Sequence, residues 1–472
     1  MAPKSILHRA ILFSFLLLLA WLFFLKYIRW ASFDELVWLT LLFIVCGLPG
    51  ILFIGGHRLR VPVMPLWGAG YFLLFGMPFL GKAEESSLFG LSADTVQKAL
   101  RLVVLGAACC LAAFYTPVGS WVEKIIPKLQ TPWDLRRASK SGVSLCLIGL
   151  ITHYGLLTGH PSPGLRQLFS TLSRSSTLGM LTLFLLQLRG KLSFRLKGFL
   201  WGFIFPVEYL LGLGTGAVYN AVIVLAPFLF CYTAERRKFP IVSAALLAAV
   251  LVVPFLGFKA EYRSYAWNTE GSEIAVPNSP VQRGLFFVQL VFNRLTQGGV
   301  ASYTAAVKTS QERTSCIALL ASVMEMTPGY VPFWHGETYA SLAWIFLPRL
   351  FFPDKPTKTL GQEFGHRYEI LNEEDDVTSI NLPHQVVEMY VNFGALGVLA
   401  GMTLIGLLYR SIAVFLGRTE SGERAMLIGC TICAILLNLD SDFSLVFGGV
   451  AYCLAVLYLV SHVFHGRSSV AA

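Results

Sequence analysis

Twelve stretches of this chain are long, apolar and almost free of charge: 10–28, 36–55, 62–80, 97–116, 141–158, 176–190, 196–213, 216–233, 240–257, 389–409, 425–439 and 443–463. About 20 apolar residues are needed to cross the hydrocarbon core of a bilayer. In lipid every backbone N–H and C=O must be paired within its own segment, so stretches of this kind are helices. Two of them, 176–190 and 425–439, are short for the task. Only 14% of the residues are charged and 55% are hydrophobic, against about 25% charged in soluble domains. The expectation is an all-α, polytopic membrane helix bundle of about twelve spans, with the lipid bilayer as its first partner.

One interruption breaks the pattern. Residues 259–388 stay hydrophilic, dividing the chain into 1–258 with nine spans, an extramembrane loop at 259–388, and 389–472 with three more. Lys and Arg placement gives the orientation. With the N-terminus in the cytoplasm, 20 of the 37 Lys and Arg fall on inner segments, 7 on short outer ones and 10 in the loop. Twelve spans return the C-terminus inside, and the loop faces the periplasm of a bacterial inner membrane. The stretch after Lys4 and Arg9 lacks a small-x-small cleavage site, so it reads as an uncleaved first span. The net charge of +10 is then a product of topology beside anionic lipid. With no basic–aromatic motif in the chain, nucleic acid is not an expected partner. The loop itself contains helical apolar runs around Phe286–Leu295, Ile317–Met326 and Tyr339–Phe351, joined by Pro-rich turns. These predict short helices packed on the outer face of the bundle. Of nine cysteines only Cys316 lies in the loop, which argues against a disulfide framework.

Chemistry-bearing residues are densest between Arg349 and Asn392. Gly361 and Gly365 bracket a Gln-Glu-Phe triplet and permit close backbone approach. His384 and Glu388 stand four residues apart on one helical face, and Asn392 continues it at the expected membrane entry. The planar guanidinium is the expected partner for a phosphate or diphosphate, and the loop supplies Arg283, Arg294, Arg313, Arg349 and Arg367. Arg283 and Arg313 read better as interfacial side chains that snorkel to the headgroups. The Asp440-Ser441-Asp442 triplet reads as a turn and helix cap, and His335 beside Trp334 as interfacial. Glu388, His366 and His384 are the candidate proton acceptors, and no metal site is expected.

Within this region, Pro348–Tyr368 (PRLFFPDKPTKTLGQEFGHRY), Asp376–Pro383 (DVTSINLP) and Glu388–Gly394 (EMYVNFG) resemble the Wzy-type oligosaccharide repeat-unit polymerases, the O-antigen and exopolysaccharide polymerases of bacteria. The likeness covers about 50 residues by direct count, and its motifs are specific only in combination. It implies a fold like the C-type glycosyltransferases and block transfer of a glycan from undecaprenyl diphosphate onto a second lipid-linked repeat unit. It implies neither a nucleotide sugar nor a cofactor, and it adds a chain-length regulator as a further partner. The chain departs from the pattern in two places. Eleven residues, not ten, separate Arg349 from Gly361, and His384 stands where an aromatic residue is expected.

On this reading Arg367, Arg349 and Arg294 hold the donor diphosphate, and Glu388 or His366 orients or deprotonates the acceptor hydroxyl. Asn381, Tyr390 and Asn392 hydrogen-bond sugars, and Glu363 and Tyr368 belong to the same substrate-binding set. An O-antigen ligase, which moves glycan to lipid A-core, shares the carrier and the arginine logic. A transporter would show repeats and broken helices with charge at the midplane. No repeat is visible, and Glu208 is the exception in span interiors that are otherwise nearly free of charge.

Overall fold

The structure, a computed structural model, describes residues 3–465 except 29–31, 56–60, 80–90, 117–120, 122–123, 125–134, 160, 267–275, 313–314, 346, 348, 350, 353, 356–359, 373–383 and 418–421. The first half holds α1 (Pro3–Tyr27), α2 (Phe33–Ile54), α3 (Val63–Phe75), α4 (Ala93–Tyr115), α5 (Leu135–Thr158), α6 (Pro163–Leu172), α7 (Arg174–Leu188), α8 (Phe194–Phe199), α9 (Phe205–Gly214) and α10 (Val218–Arg236). It continues with α11 (Ile241–Leu251), α12 (Val253–Ala266), α13 (Pro280–Glu312), α14 (Cys316–Met326), α15 (Leu342–Ile345), α16 (Leu360–Arg367), α17 (Gln385–Gly417), α18 (Gly422–Leu436) and α19 (Phe443–His465). No strand occurs among the described residues. Each of the twelve apolar stretches is mostly helical where described, and 240–257 is broken at Val252. Among the described residues eight helices are long and apolar enough to cross a membrane. Large apolar side chains such as Leu246, Phe292, Leu396 and Leu459 are exposed on the outside of the bundle, as a helical membrane protein requires when lipid is its solvent.

Local sequence sets where several helices begin. Ser32 and Glu35 close a capping box on α2, and Ser92 and Ser315 accept backbone N–H groups at the starts of α4 and α14. Each satisfies donors that helix geometry leaves unpaired. Between helices, glycine brings backbones together: a side chain at Gly68 would strike the Cys46 carbonyl, at Gly149 the Ser176 amide, and at Gly406 the Cys110 carbonyl. Small residues are how membrane helices gain close packing where lipid gives no hydrophobic drive to associate. The main core runs through α2–α5, α7, α10, α14 and α17–α19. A second, smaller core joins α9, α12 and α13 through Tyr209, Phe258, Tyr262 and Phe287. The apolar run 317–326 does fold as a short helix on one end of the bundle. There α14 packs on α4, and the Ser92 N–H donates to Glu325 Oε1 at 3.3 Å.

Glu208, the charge expected alone, has a partner. Its Oε2 lies 2.7 Å from His153 Nδ1 of α5, and the carboxylate is buried. It follows a π-helical stretch, Leu200–Ile204, that joins α8 to α9. Removing one member of a buried pair strands the other in a low-dielectric interior, which costs about 3–5 kcal/mol. His153→Leu should therefore destabilise the detergent-solubilised protein by about that much, while His153→Leu with Glu208→Leu recovers most of the loss. Thermal unfolding of the two variants checks this, and equal losses would show that the pair does not act as a unit.

Candidate functional site

The site is organised by a chain reversal. Although Gln385–Gly417 is helical on both sides, Gly394 inside it has φ 64° and ψ −154°, a conformation open essentially to glycine alone. In a continuous helix Met389 and Gly397 would be about 12 Å apart. Here a Cβ on Gly397 would meet the Met389 carbonyl oxygen at 2.6 Å. The short leg 385–393 thus folds back against 395–417, and the longer leg packs on α4, where Gly106 meets Val398 and Met402.

The short leg carries three of the candidate residues: Glu388 and Asn392 are buried and Tyr390 is half-buried. Asn392 uses its whole amide: Nδ2 donates to Thr338 Oγ1 (2.8 Å) and the Glu388 carbonyl (2.7 Å), and Oδ1 accepts the Gly336 N–H (2.8 Å). With the Trp334 N–H donating to the Val391 carbonyl (2.9 Å), these bonds fasten the turn 334–339 to the leg. Glu388 Oε2 accepts the Phe443 N–H at 2.6 Å, so an anion sits at the start of α19, where the helix dipole favours it. Asp442 caps the same helix, accepting the Leu445 N–H at 2.9 Å, as its sequence context predicts. Between these carboxylates the Tyr339 hydroxyl is pushed far up, first by burial and then by Glu388 and Asp442. Tyr390 is half-buried with its ring 6.4 Å from Phe333.

His384 lies at the foot of the leg, buried edge-on between Tyr71 and Phe75 of α3. Its Nδ1 accepts the Val386 N–H at 3.0 Å, which occupies the lone pair a base would need. Burial holds the imidazole down to about 3. It is a neutral helix cap that fills the place of the expected aromatic.

Helix α16 supplies the exposed chemistry. Phe364 and Tyr368 anchor it, their rings 4.6 Å apart and the Tyr368 hydroxyl 2.7 Å from Thr327 Oγ1. Burial raises the Tyr368 hydroxyl. On the open side Arg367 lies 4.2 Å over the Trp334 ring. It pairs with Glu363 one turn back and with Glu337 at 3.5 Å. His366 is half-buried, its Nδ1 enclosed without a hydrogen-bond partner. The fold therefore brings Arg367, Glu363, His366 and Tyr368 together, beside the turn fastened by Asn392.

The other arginines do not join this group. The Arg349 N–H donates to Gln167 Oε1 of α6 (3.1 Å), and its guanidinium donates to the Lys355 carbonyl (2.8 Å). Burial and Arg349 together lower the Lys355 ammonium. Arg294 sits on α13 and pairs with Glu261 of α12 (2.5 Å), beside the second core. The three arginines expected around one diphosphate thus hold three separate sets of partners. Asn381 and Asp376 lie outside the described residues. Among the described residues no group of three or more His, Cys, Asp or Glu is placed to hold a metal ion.

Glu337 and Trp334 escape a reading of the sequence alone. The available signal is His335-Gly336: both adopt positive φ, 46° and 93°, and a histidine in that region marks a strained turn. The turn directs Glu337 outward, with 49% of its side chain exposed beside Arg367.

Residues 127–468 match the model of a domain of unknown function, DUF8712. The chain belongs to this family. The DUF8712 match includes every candidate site residue and leaves out α1–α4. No curated protein and no solved structure matches the chain.

Gly394→Ala should cost about 1–3 kcal/mol by forcing an L-residue into a glycine conformation. Gly449→Ala in α19, where an added Cβ meets nothing within 4 Å, serves as the neutral control. Thermal unfolding separates the two, and equal midpoints would remove the reversal from the account.

Proposed function

We propose that this DUF8712 protein polymerises lipid-linked oligosaccharide repeat units at the extracytoplasmic face of a bacterial inner membrane. The arrangement this reading takes has about twelve spans, cytoplasmic termini, and the 259–388 segment outside. The observation that carries it is the Arg367 group: a guanidinium held over Trp334 between two carboxylates on the open side of α16. Arg367 and Glu363 lie within the stretch that resembles the repeat-unit polymerases.

In the reaction, an acceptor sugar hydroxyl attacks the anomeric carbon of the donor glycan. A carbon–oxygen bond forms there, and the bond to the polyprenyl diphosphate breaks, its electron pair leaving with the diphosphate. Arg367 exchanges a carboxylate partner for diphosphate oxygens and offsets the charge that builds on them. The hydroxyl proton passes to Glu337, 3.5 Å from the guanidinium, or to His366, the residue before Arg367 on α16. Glu388 and His384, buried and engaged as helix caps, hold this surface in shape and do not move the proton. Arg349 and Arg294 are then too separately engaged to share the diphosphate, and Asn392 acts by positioning the turn.

Purified protein given lipid-linked repeat units alone should produce a ladder of multiples. Arg367→Ala should cut its rate by about a hundredfold, the loss seen when one stabilising donor is removed from a developing anion. Glu337→Gln should slow it while leaving substrate retention intact. Transfer only to lipid A-core would make the protein a ligase, and wild-type ladders from Arg367→Ala would take Arg367 out of the site.

A further inference from the structure

On the α1–α3 side of the bundle is a cleft of about 370 Å³, within the range of volumes that hold small ligands. It lies between α1, α2 and α3, and Phe239 from beyond α10 completes it. Every residue lining it is apolar or glycine. Gly47 and Gly50 keep the α2 wall low, while Phe13 and Leu17 of α1 close over them. Ala69 and Leu73, both exposed, form the rim. An apolar cleft between apolar helices takes an apolar chain.

Charge identifies which chain. The cleft reaches Phe53 and Ile54 at the end of α2, Pro62 before α3, and Phe239. Phe239 directly follows Arg236, Arg237 and Lys238, three exposed cations at the end of α10. Arg237 adopts φ 53° and turns the chain out of the helix. Arg236 is tied to the Leu188 carbonyl (2.5 Å). An acyl chain lying in the cleft from this end leaves its headgroup beside the three cations. Clusters of Lys and Arg at a membrane surface select anionic headgroups, each cation contributing roughly a fivefold preference.

We infer that the cleft between α1, α2 and α3 is a binding site for an anionic phospholipid, with an acyl chain against Gly47, Gly50 and Ala69 and its phosphate at the Arg236–Lys238 run. The site lies outside the chemistry proposed above and does not depend on it. Three of its walls come from helices that the family match does not reach.

Native mass spectrometry of the purified full chain tests this, with phosphatidylglycerol and phosphatidylcholine of matched acyl chains added in turn. Wild type should retain one phosphatidylglycerol at concentrations where phosphatidylcholine is lost. Ala69→Phe, at an exposed rim position, should abolish that retention. Lys238→Ala should weaken it roughly fivefold while leaving the weak phosphatidylcholine signal unchanged. Gel filtration reports whether each variant stays folded, and Lys238→Ala, on an exposed side chain, keeps the test open should Ala69→Phe misfold. Equal retention of the two lipids by wild type, or retention undiminished in the variants, overturns the assignment.

Discussion

The amide of Asn392 is the point on which the candidate site depends. A buried polar side chain is costly unless every group is matched, and here one residue joins the helix leg 385–393 to the turn that carries Glu337. Because the leg is itself folded back at Gly394, the turn rests on a double thickness of helix. Arg367 reaches that turn from α16, a separate element. The pairing of Arg367 with Glu337 therefore reports the closure of the whole assembly around the turn.

Burial divides the carboxylates into two kinds. Glu388 and Asp442 sit at the start of α19, where backbone donors and the helix dipole hold them in place of water. Glu337 and Glu363 stay near solvent and share one guanidinium. Exposed ion pairs contribute little to stability, so the second kind can exchange partners at small expense. That contrast makes Arg367 suited to a transient anionic ligand, and leaves Glu388 as framework. The His153–Glu208 pair belongs with the framework group, in a part of the bundle remote from α16 in sequence.

Hydropathy made the helical stretches legible, because lipid imposes one solution on the backbone. The turn at Asp440-Ser441, the capping role of Asp442 and the shared face of His384, Glu388 and Asn392 were also readable from spacing. Other features were not. Spacing says that His384 and Glu388 share a face, but not that the face turns inward onto Tyr71, Phe75 and Phe443. That outcome depends on the reversal at Gly394, one glycine among 42 in the chain. Arginine counting drew Arg294, Arg349 and Arg367 together because sequence carries no distance. Each has instead found a nearer acceptor: Glu261, a carbonyl, and a carboxylate pair. Glu337 carries no local signal, because its partner comes from an element thirty residues away in sequence.

The most direct measurement is a structure of the protein with a polyprenyl diphosphate bound in a lipid nanodisc. The account predicts diphosphate oxygens within hydrogen-bonding distance of the Arg367 guanidinium, with Glu337 or Glu363 released from it. A diphosphate bound elsewhere, with Arg367 still paired to both carboxylates over Trp334, would contradict it.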